Sequence, residues 1–179
     1  MIFQAAILTY GAKEPKEALS LVGGYITGCG FQVTDQVEVP YGDLSKTLTS
    51  LTAVSLIVVV GGTFLGPHDD SPEQLQSWSE QAIPGFGELM RFETVQDGFG
   101  TYLQRGGGWL KGTTLAVAVP GSTKAALDNL KVLGPLLMMA VKGLSTRTVR
   151  ASTEASTEAS TEGGNAASSE MNARVNTGS

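Results

Sequence analysis

Ser55-Leu56-Ile57-Val58-Val59-Val60-Gly61-Gly62-Thr63-Phe64-Leu65-Gly66-Pro67-His68-Asp69-Asp70-Ser71-Pro72-Glu73 is the stretch that decides the fold. After Ser55, Leu56–Val60 form an unbroken apolar run closed by a glycine pair, as in a strand buried on both faces of a parallel sheet. A turn carrying two adjacent acids follows, and Ser71-Pro72-Glu73 then reads as a helix start, with serine as N-cap and proline at the first helical position. A strand that leaves through glycines into a helix is the repeating unit of α/β folds.

The same alternation extends in both directions. Phe3–Leu8, Phe31–Val39 and Thr113–Val119 read as further β-rich runs. Helical spacing covers Glu14–Thr27, Gly42–Leu51, Ser71–Gln81, Phe86–Phe92 and Ser122–Lys142, the last with leucines at 127, 130, 133, 136 and 137. These elements predict an α/β domain whose mostly parallel central sheet is covered by helices on both faces. Ligands of such folds bind beyond the carboxyl ends of the strands. That rule directs attention to Gly61–Ser71 and Pro120–Lys124.

The chain has 179 residues, 41% of them apolar and 16% charged, enough for one sizeable core. Its one cysteine, Cys29, and one histidine, His68, exclude an intrachain disulfide, a cysteine-based zinc site and a redox dithiol. Metal chemistry would rest on carboxylates, which suits Mg²⁺. A net charge of −5 with no basic stripe argues against nucleic acid as a partner. Met1–Leu8 lacks the basic region of a signal peptide, and no apolar run approaches the roughly 18 residues of a membrane span. A cytoplasmic protein that does not enter membranes is the expectation.

Near Leu144 the pattern changes. Ala-Ser-Thr-Glu repeats three times from Ala151, and no Phe, Tyr, Trp, Leu or Ile occurs between Ser145 and Ser179. Ordering such a segment costs entropy that no apolar burial offsets, so residues 145–179 are expected to be a disordered low-complexity tail behind a domain of residues 1–144.

Two strand ends carry chemistry. At Gly61–Asp70 the glycines let backbone N–H groups approach phosphate oxygens, and an aspartate at the loop's end can hold Mg²⁺. Pro67-His68 stands where a Walker loop needs Lys-Ser or Lys-Thr, so a P-loop is excluded. Val119-Pro120-Gly121-Ser122-Thr123-Lys124 places hydroxyls and a cation at a helix N-terminus, which attracts anions. The plainer alternative makes Ser122 a cap and Lys124 a solvated lysine. The Gly-x-Ser-x-Gly elbow of a hydrolase and the repeated glycines of a dinucleotide fold after Thr9-Tyr10-Gly11-Ala12 are both missing.

Three segments in order resemble the molybdenum-cofactor biosynthesis family of MogA and MoaB proteins, related to the gephyrin G-type domains. They are Gly61-Gly62-Thr63 through Asp69 to Ser71-Pro72-Glu73, then Ile83-Pro84-Gly85-Phe86-Gly87-Glu88-Leu89-Met90-Arg91, then Val119-Pro120-Gly121-Ser122-Thr123-Lys124-Ala125. The resemblance covers about residues 3–143. It implies a three-layer α/β/α sandwich, a homotrimer or hexamer, and adenylylation of molybdopterin with Mg²⁺ and ATP. On that reading Asp69 is the catalytic residue, and Asp69 with Asp70 holds the metal. Gly61, Gly62, Thr63 and Gly66 approach the nucleotide phosphates. Glu88, Arg91, Gly121, Ser122, Thr123 and Lys124 hold molybdopterin. Outside the resemblance, Glu88 and Arg91 also read as an i, i+3 pair on a helix surface.

Departures from the family pattern are specific. Phe64 stands where the third loop glycine belongs, His68 replaces an arginine, and Pro40-Tyr41 replaces Pro-Asp. Lys16-Glu17-Ala18-Leu19 occupies the place of Asp-x-Ser-Gly, and Gln104-Arg105 that of Ser-Arg. They leave a second function class open: a relative that binds molybdopterin, or serves as an oligomeric scaffold, without catalysing transfer. Trp78, Trp109, Met90, Met138 and Met139 read as packing residues.

Overall fold

The structure, a computed structural model, describes residues 2–146. The chain divides into two units, Met1–Lys142 and Gly143–Ser179. Of the second, residues 143–146 are described and are helical; the rest of the expected tail lies outside the described residues.

In the first unit the elements run β1 (Phe3–Thr9), α1 (Pro15–Gly28), β2 (Phe31–Glu38), α2 (Leu44–Ser50), β3 (Leu56–Val60), α3 (Ser71–Trp78), β4 (Gln81–Ile83), α4 (Pro84–Glu93), two 3₁₀ turns (Val95–Asp97 and Phe99–Leu103), β5 (Gly107–Lys111) and β6 (Thr114–Val119). A further helix, α5, begins at residue 123. The sheet order is β2-β1-β3-β6-β5-β4. The pairs β1/β2, β1/β3 and β3/β6 are parallel, whereas β5 runs antiparallel to both β6 and β4.

Side-chain alternation along the parallel strands builds two cores. On one face Ala6, Leu8, Tyr10, Ile57, Val59, Ala116, Ala118 and Trp109 meet Leu44 and Leu48 of α2 and Leu75 of α3. The intervening Ala5, Ile7, Leu56, Val58, Val60, Leu115, Val117 and Val119 are equally buried. Burial on both sides is why Leu56–Val60 is a continuous apolar run. On the second face Phe86 of α4 lies over Gly108, the neighbour of Trp109, and Tyr25 of α1 reaches Gly134 of α5. The result is the three-layer α/β/α architecture expected from the sequence.

Sequence reading missed β4 and β5. Gly106, Gly107 and Gly108 carry no strand signal of their own, yet they lie before and within a strand where α4 approaches closely. A Cβ on Gly108 would come 2.8 Å from the Phe86 ring, and one on Gly87 would come 2.6 Å from the Gly106 carbonyl oxygen. Helix α3 also stops at Trp78, short of the expected Gln81, which opens β4. Trp109 is buried as expected and donates Nε1–H to Gln76 Oε1 at 3.2 Å. Met90 is fully buried, but Met139, expected in the core, is exposed on α5.

No helix among the described residues is long and apolar enough to cross a membrane.

Candidate functional site at the carboxyl ends of the strands

The loops that leave β1, β3 and β6 meet backbone to backbone. Tyr10 N–H donates to the Val60 carbonyl at 2.8 Å, Gly61 N–H to that of Val119 at 2.9 Å, and Lys13 N–H to that of Gly121 at 2.9 Å. The contact is too close for side chains. A Cβ on Gly61 would lie 2.3 Å from the Tyr10 carbonyl oxygen, and Gly61 has φ +105°. Gly62 has φ +66°, and a Cβ there would strike the Tyr10 ring. Both glycines thus meet the conformational demand that only glycine satisfies without strain.

The acids of the second loop have different surroundings. Asp69, half-buried, accepts the Gly66 N–H at 2.7 Å through Oδ2. Asp70 accepts the Tyr10 hydroxyl at 2.7 Å through Oδ1 and Gln74 Nε2–H at 2.9 Å through Oδ2. Gln74 also donates to the Tyr10 oxygen at 2.9 Å and accepts from Ser45. Burial, with the Asp70 carboxylate adding to it, holds the Tyr10 pKa above its ordinary value. Tyr10 therefore remains a donor at neutral pH, and both Asp70 oxygens stay occupied.

Ser71 was expected to cap α3. The N-cap is instead Asp70, without a side-chain cap bond, and Pro72 sits in the first turn. The buried Ser71 Oγ lies 2.9 Å from the Gly61 carbonyl oxygen and 2.8 Å from that of Gly62, fastening the helix to the glycine turn. Phe64 shows no positive φ, a conformation confined to glycines among the described residues. The missing third glycine therefore imposes no backbone strain.

Arg105 organises the loop. Its backbone N–H donates to the Thr63 carbonyl at 2.7 Å and its Nε–H to the Phe64 carbonyl at 2.8 Å. Nη2 donates to the Asp69 carbonyl, and Nη1 pairs with the Glu73 carboxylate. A guanidinium presents its donors as a fixed fork, so one side chain holds both ends of the turn and the start of α3.

At the β6 end Gly121 packs 3.3 Å from Gly61 Cα, measured from an added Cβ. Ser122 Oγ accepts the Ala125 N–H at 3.4 Å, a long cap contact. Thr123 is buried with Oγ1 lacking a partner. Lys124 pairs with Asp128 at 2.7 Å, and Lys131 reaches the same carboxylate at 3.1 Å. These two cations, Lys124 first, hold the Asp128 carboxyl below the usual range.

Glu88 and Arg91 lie elsewhere. They line a hollow of about 530 Å³ with Gly85, Leu89, Phe92 and Tyr102, and none of the three strand-end loops contributes to that lining. Arg91 donates to the carbonyls of Gln104 at 3.3 Å and Gly106 at 3.4 Å, clamping α4 onto the approach to β5.

Two concavities do border the strand ends. One, of about 540 Å³, is lined by Thr9, Gly11, Ala12, Pro15, Glu38, Val39, Pro40 and Tyr41. The Tyr41 ring packs edge-on to Tyr10, with centroids 5.4 Å apart, and lies 4.9 Å from the His68 ring. Two of the departures noted in the sequence thus touch each other. The other concavity, of about 370 Å³, has Phe64, Gln104, Pro120, Ala125 and Asn129 in its wall. Sequence reasoning missed Tyr10, Gln74 and Asn129. Tyr10 was legible only as a residue following the first strand, and Asp70 and Gln74, which it joins, lie sixty or more positions away.

No group of three or more His, Cys, Asp or Glu among the described residues could enclose a metal ion. Mg²⁺ is commonly held by one or two carboxylates together with substrate phosphates and water, and Asp69 at the loop's rim suits that mode.

A family described as "Probable molybdopterin binding domain" matches residues 19–139. A molybdenum cofactor biosynthesis bifunctional protein of Synechococcus elongatus is 36% identical over 99 residues, 54% of this chain and 31% of that protein. A molybdopterin adenylyltransferase of Helicobacter pylori is 29% identical over 86 residues, 48% of this chain and 49% of that one. This chain thus spans less than half the length of either relative. The crystal structure of the molybdopterin biosynthesis enzyme MoaB from Thermus thermophilus superposes with a TM-score of 0.73 at 28% identity, covering 81% of this chain and 98% of that one.

Proposed function

Since the chain belongs to the molybdopterin-binding domain family of molybdenum cofactor biosynthesis, we propose that it binds molybdopterin at the carboxyl ends of β1, β3 and β6 and adenylylates it with Mg²⁺ and ATP. The observation that carries this reading is the meeting of Gly61, Gly62 and Gly121 without side chains, with Asp69 at the rim. In the proposed reaction an oxygen of the pterin's phosphate attacks the α-phosphorus of ATP. A new phosphoanhydride forms, and the bond to the β-phosphate breaks to release pyrophosphate. Bringing two phosphorylated molecules together chiefly requires positioning and charge neutralisation.

Each group then has a defined task. The Gly61–Gly66 turn, held by Arg105 and Ser71, lets phosphate oxygens approach the backbone. The start of α5, with Ser122, Thr123 and Lys124, supplies a positive helix end for the pterin's phosphate. Asp69 would hold Mg²⁺, which when bound neutralises phosphate charge. Asp70 acts through Tyr10 and Gln74 as a brace of the loop. Arg91 clamps α4 onto the approach to β5 in this reading, and Glu88 is an exposed residue of the same helix.

The engaged Asp70 and the Tyr41 ring beside Gly11 favour a second reading, a pterin-binding member that does not transfer adenylate. Pyrophosphate release from Mg-ATP in the presence of molybdopterin separates the two. Turnover that is lost in Asp69→Ala supports the enzyme. Molybdopterin binding without pyrophosphate release supports the binder. Both readings retain a cytoplasmic homo-oligomer, trimer or hexamer, and the exposed Phe92, Phe99 and Tyr102 offer apolar surface for subunit contact.

A further inference from the structure

Pro40, Tyr41, Gly42 and Asp43 form a tight turn after β2. Asp43 N–H donates to the Pro40 carbonyl at 3.1 Å, and Gly42, third in the turn, has φ +88°, a conformation that glycine adopts there without strain. Gly42 N–H also donates to the Tyr10 hydroxyl oxygen at 3.2 Å, which ties the turn to the end of β1. From the second position of the turn the Tyr41 ring reaches back over the loop after β1. Its hydroxyl would lie 2.6 Å from a Cβ on Gly11, so its seat is open because residue 11 has no side chain. The ring stands edge-on to Tyr10, with centroids 5.4 Å apart, and meets the His68 ring at 4.9 Å with a tilt of 34°.

This placement makes Tyr41 a partition. With Gly11 and Pro40 it lines the hollow of about 540 Å³ at the ends of β1 and β2, and no residue of Gly61–Asp70 contributes to that lining. His68 belongs to the Gly61–Asp70 loop and immediately precedes Asp69. The Tyr41 ring therefore has the hollow on one side and the loop that carries Asp69 on the other. Tyr41 is 56% exposed and His68 is exposed, so either ring can turn away into solvent. An aromatic pair of this kind shifts an equilibrium by roughly two- to tenfold, small enough for a ligand to overcome.

We propose that Tyr41 and His68 form a latch across the strand-end cleft. Closed, as here, the paired rings wall the hollow off from Asp69. Parted, by rotation of the Tyr41 side chain off Gly11, they join the hollow and the Asp69 loop into one continuous cleft. The turn itself stays in place, because Gly42 remains bonded to Tyr10. A ligand that spans both sides must displace the ring, and its apparent affinity is reduced by the fraction of molecules in which the latch is open. The choice of ligands rests on the proposed function: they are molybdopterin and Mg-ATP, and the entry of one of them is the step that opens the site.

The chain's single histidine gives one set of imidazole signals, so proton NMR of the full chain reads the latch directly. Without ligand and at one pH, the His68 ring protons of the wild type are expected upfield of their positions in Tyr41→Leu, because the tyrosine ring shields them. Adding Mg-ATP or molybdopterin is expected to move the wild-type signals toward the Tyr41→Leu positions. Calorimetric titration is expected to show that Tyr41→Leu and His68→Gln both bind that compound roughly two- to tenfold more tightly, the factor by which the closed form lowers apparent affinity. His68→Gln keeps Tyr41 in the wall of the hollow, so a gain shared by both variants does not come from a reshaped wall. The latch is overturned if the ligand-free signals coincide in wild type and Tyr41→Leu, or if either variant binds no tighter than the wild type. Pyrophosphate release from Mg-ATP and molybdopterin by the wild type then leaves the transfer reading standing. Signals that move on binding, with the affinity gain in both variants but no pyrophosphate release, sink the transfer reaction and keep the latch. Failure of all three proteins to bind either compound overturns both.

Discussion

Tyr10 donates its hydroxyl to Asp70 Oδ1 at 2.7 Å, joining the end of β1 to the residue that opens α3. Tyr10 is 1% exposed, and the same oxygen accepts from Gln74 and from the Gly42 N–H. Tyr10→Phe leaves Asp70 short of a donor and Gly42 short of an acceptor. The expected cost is about 1–3 kcal/mol, since hydrogen bonds to charged groups exceed neutral ones. Chemical denaturation of the variant checks it, and an unchanged midpoint would mean that the network does not brace the loop.

Gly61 gives a sharper test of the strand-end junction. Alanine there combines φ +105° with a Cβ 2.3 Å from a backbone oxygen, which no side-chain rotation relieves. Gly61→Ala is expected to cost about 3 kcal/mol or more. Gly24 is the control: it lies within α1, and nothing approaches an added Cβ there within 4 Å. Gly24→Ala should stabilise the fold by about 0.5–1 kcal/mol. Equal effects at the two positions would refute the close-approach argument.

Arg105 predicts a loop phenotype. Lysine cannot reach the carbonyls of Phe64 and Asp69 and the Glu73 carboxylate together, because it lacks the planar fork. Arg105→Lys should therefore increase proteolytic cleavage within residues 63–69 and lower any adenylylation rate. Glu73→Gln removes only a partly exposed ion pair, expected to contribute under about 1 kcal/mol. Comparable cleavage in the two variants would show that the ion pair, rather than the carbonyl contacts, holds the turn.

The limits of sequence reading follow from the range of the interactions. Leu56–Val60 and Leu115–Val119 announce buried strands because local composition suffices for a strand covered on both faces. β5 does not, because Gly106 and Gly108 lie against Gly87 and Phe86 of α4, and their absent side chains are legible only once that helix is in place. The position of the site was equally local, since it depends on where strands end. The state of its residues was not. Asp70, Arg105 and Lys124 look alike in sequence as accessible charges, yet Asp70 is bound by Tyr10, Arg105 by two carbonyls and Glu73, and Lys124 by Asp128. Asp128, four residues after Lys124, and Gln74, four after Asp70, lie within reach of a helical spacing rule; Tyr10 and the partners of Arg105 do not.

Helix α1 meets α5 where Tyr25 reaches Gly134. Tyr25 is pushed up to about 12, chiefly by burial and further by the neighbouring Cys29 thiol. Its hydroxyl would lie 2.5 Å from a Cβ on Gly134, with Cys29 Sγ at 3.7 Å, so the phenol is wedged at the helix contact. A tyrosine whose pKa is raised on folding favours the native state while protonated. That contribution is complete below the unfolded value near 10 and is lost as pH rises through the folded value near 12. Stability should therefore fall across this alkaline window, and Tyr25→Phe should flatten the fall. Cys29→Ala should move the phenol's ionisation to lower pH, as followed by ultraviolet absorbance. An alkaline profile identical in wild type and Tyr25→Phe would show that the phenol's ionisation is not linked to folding.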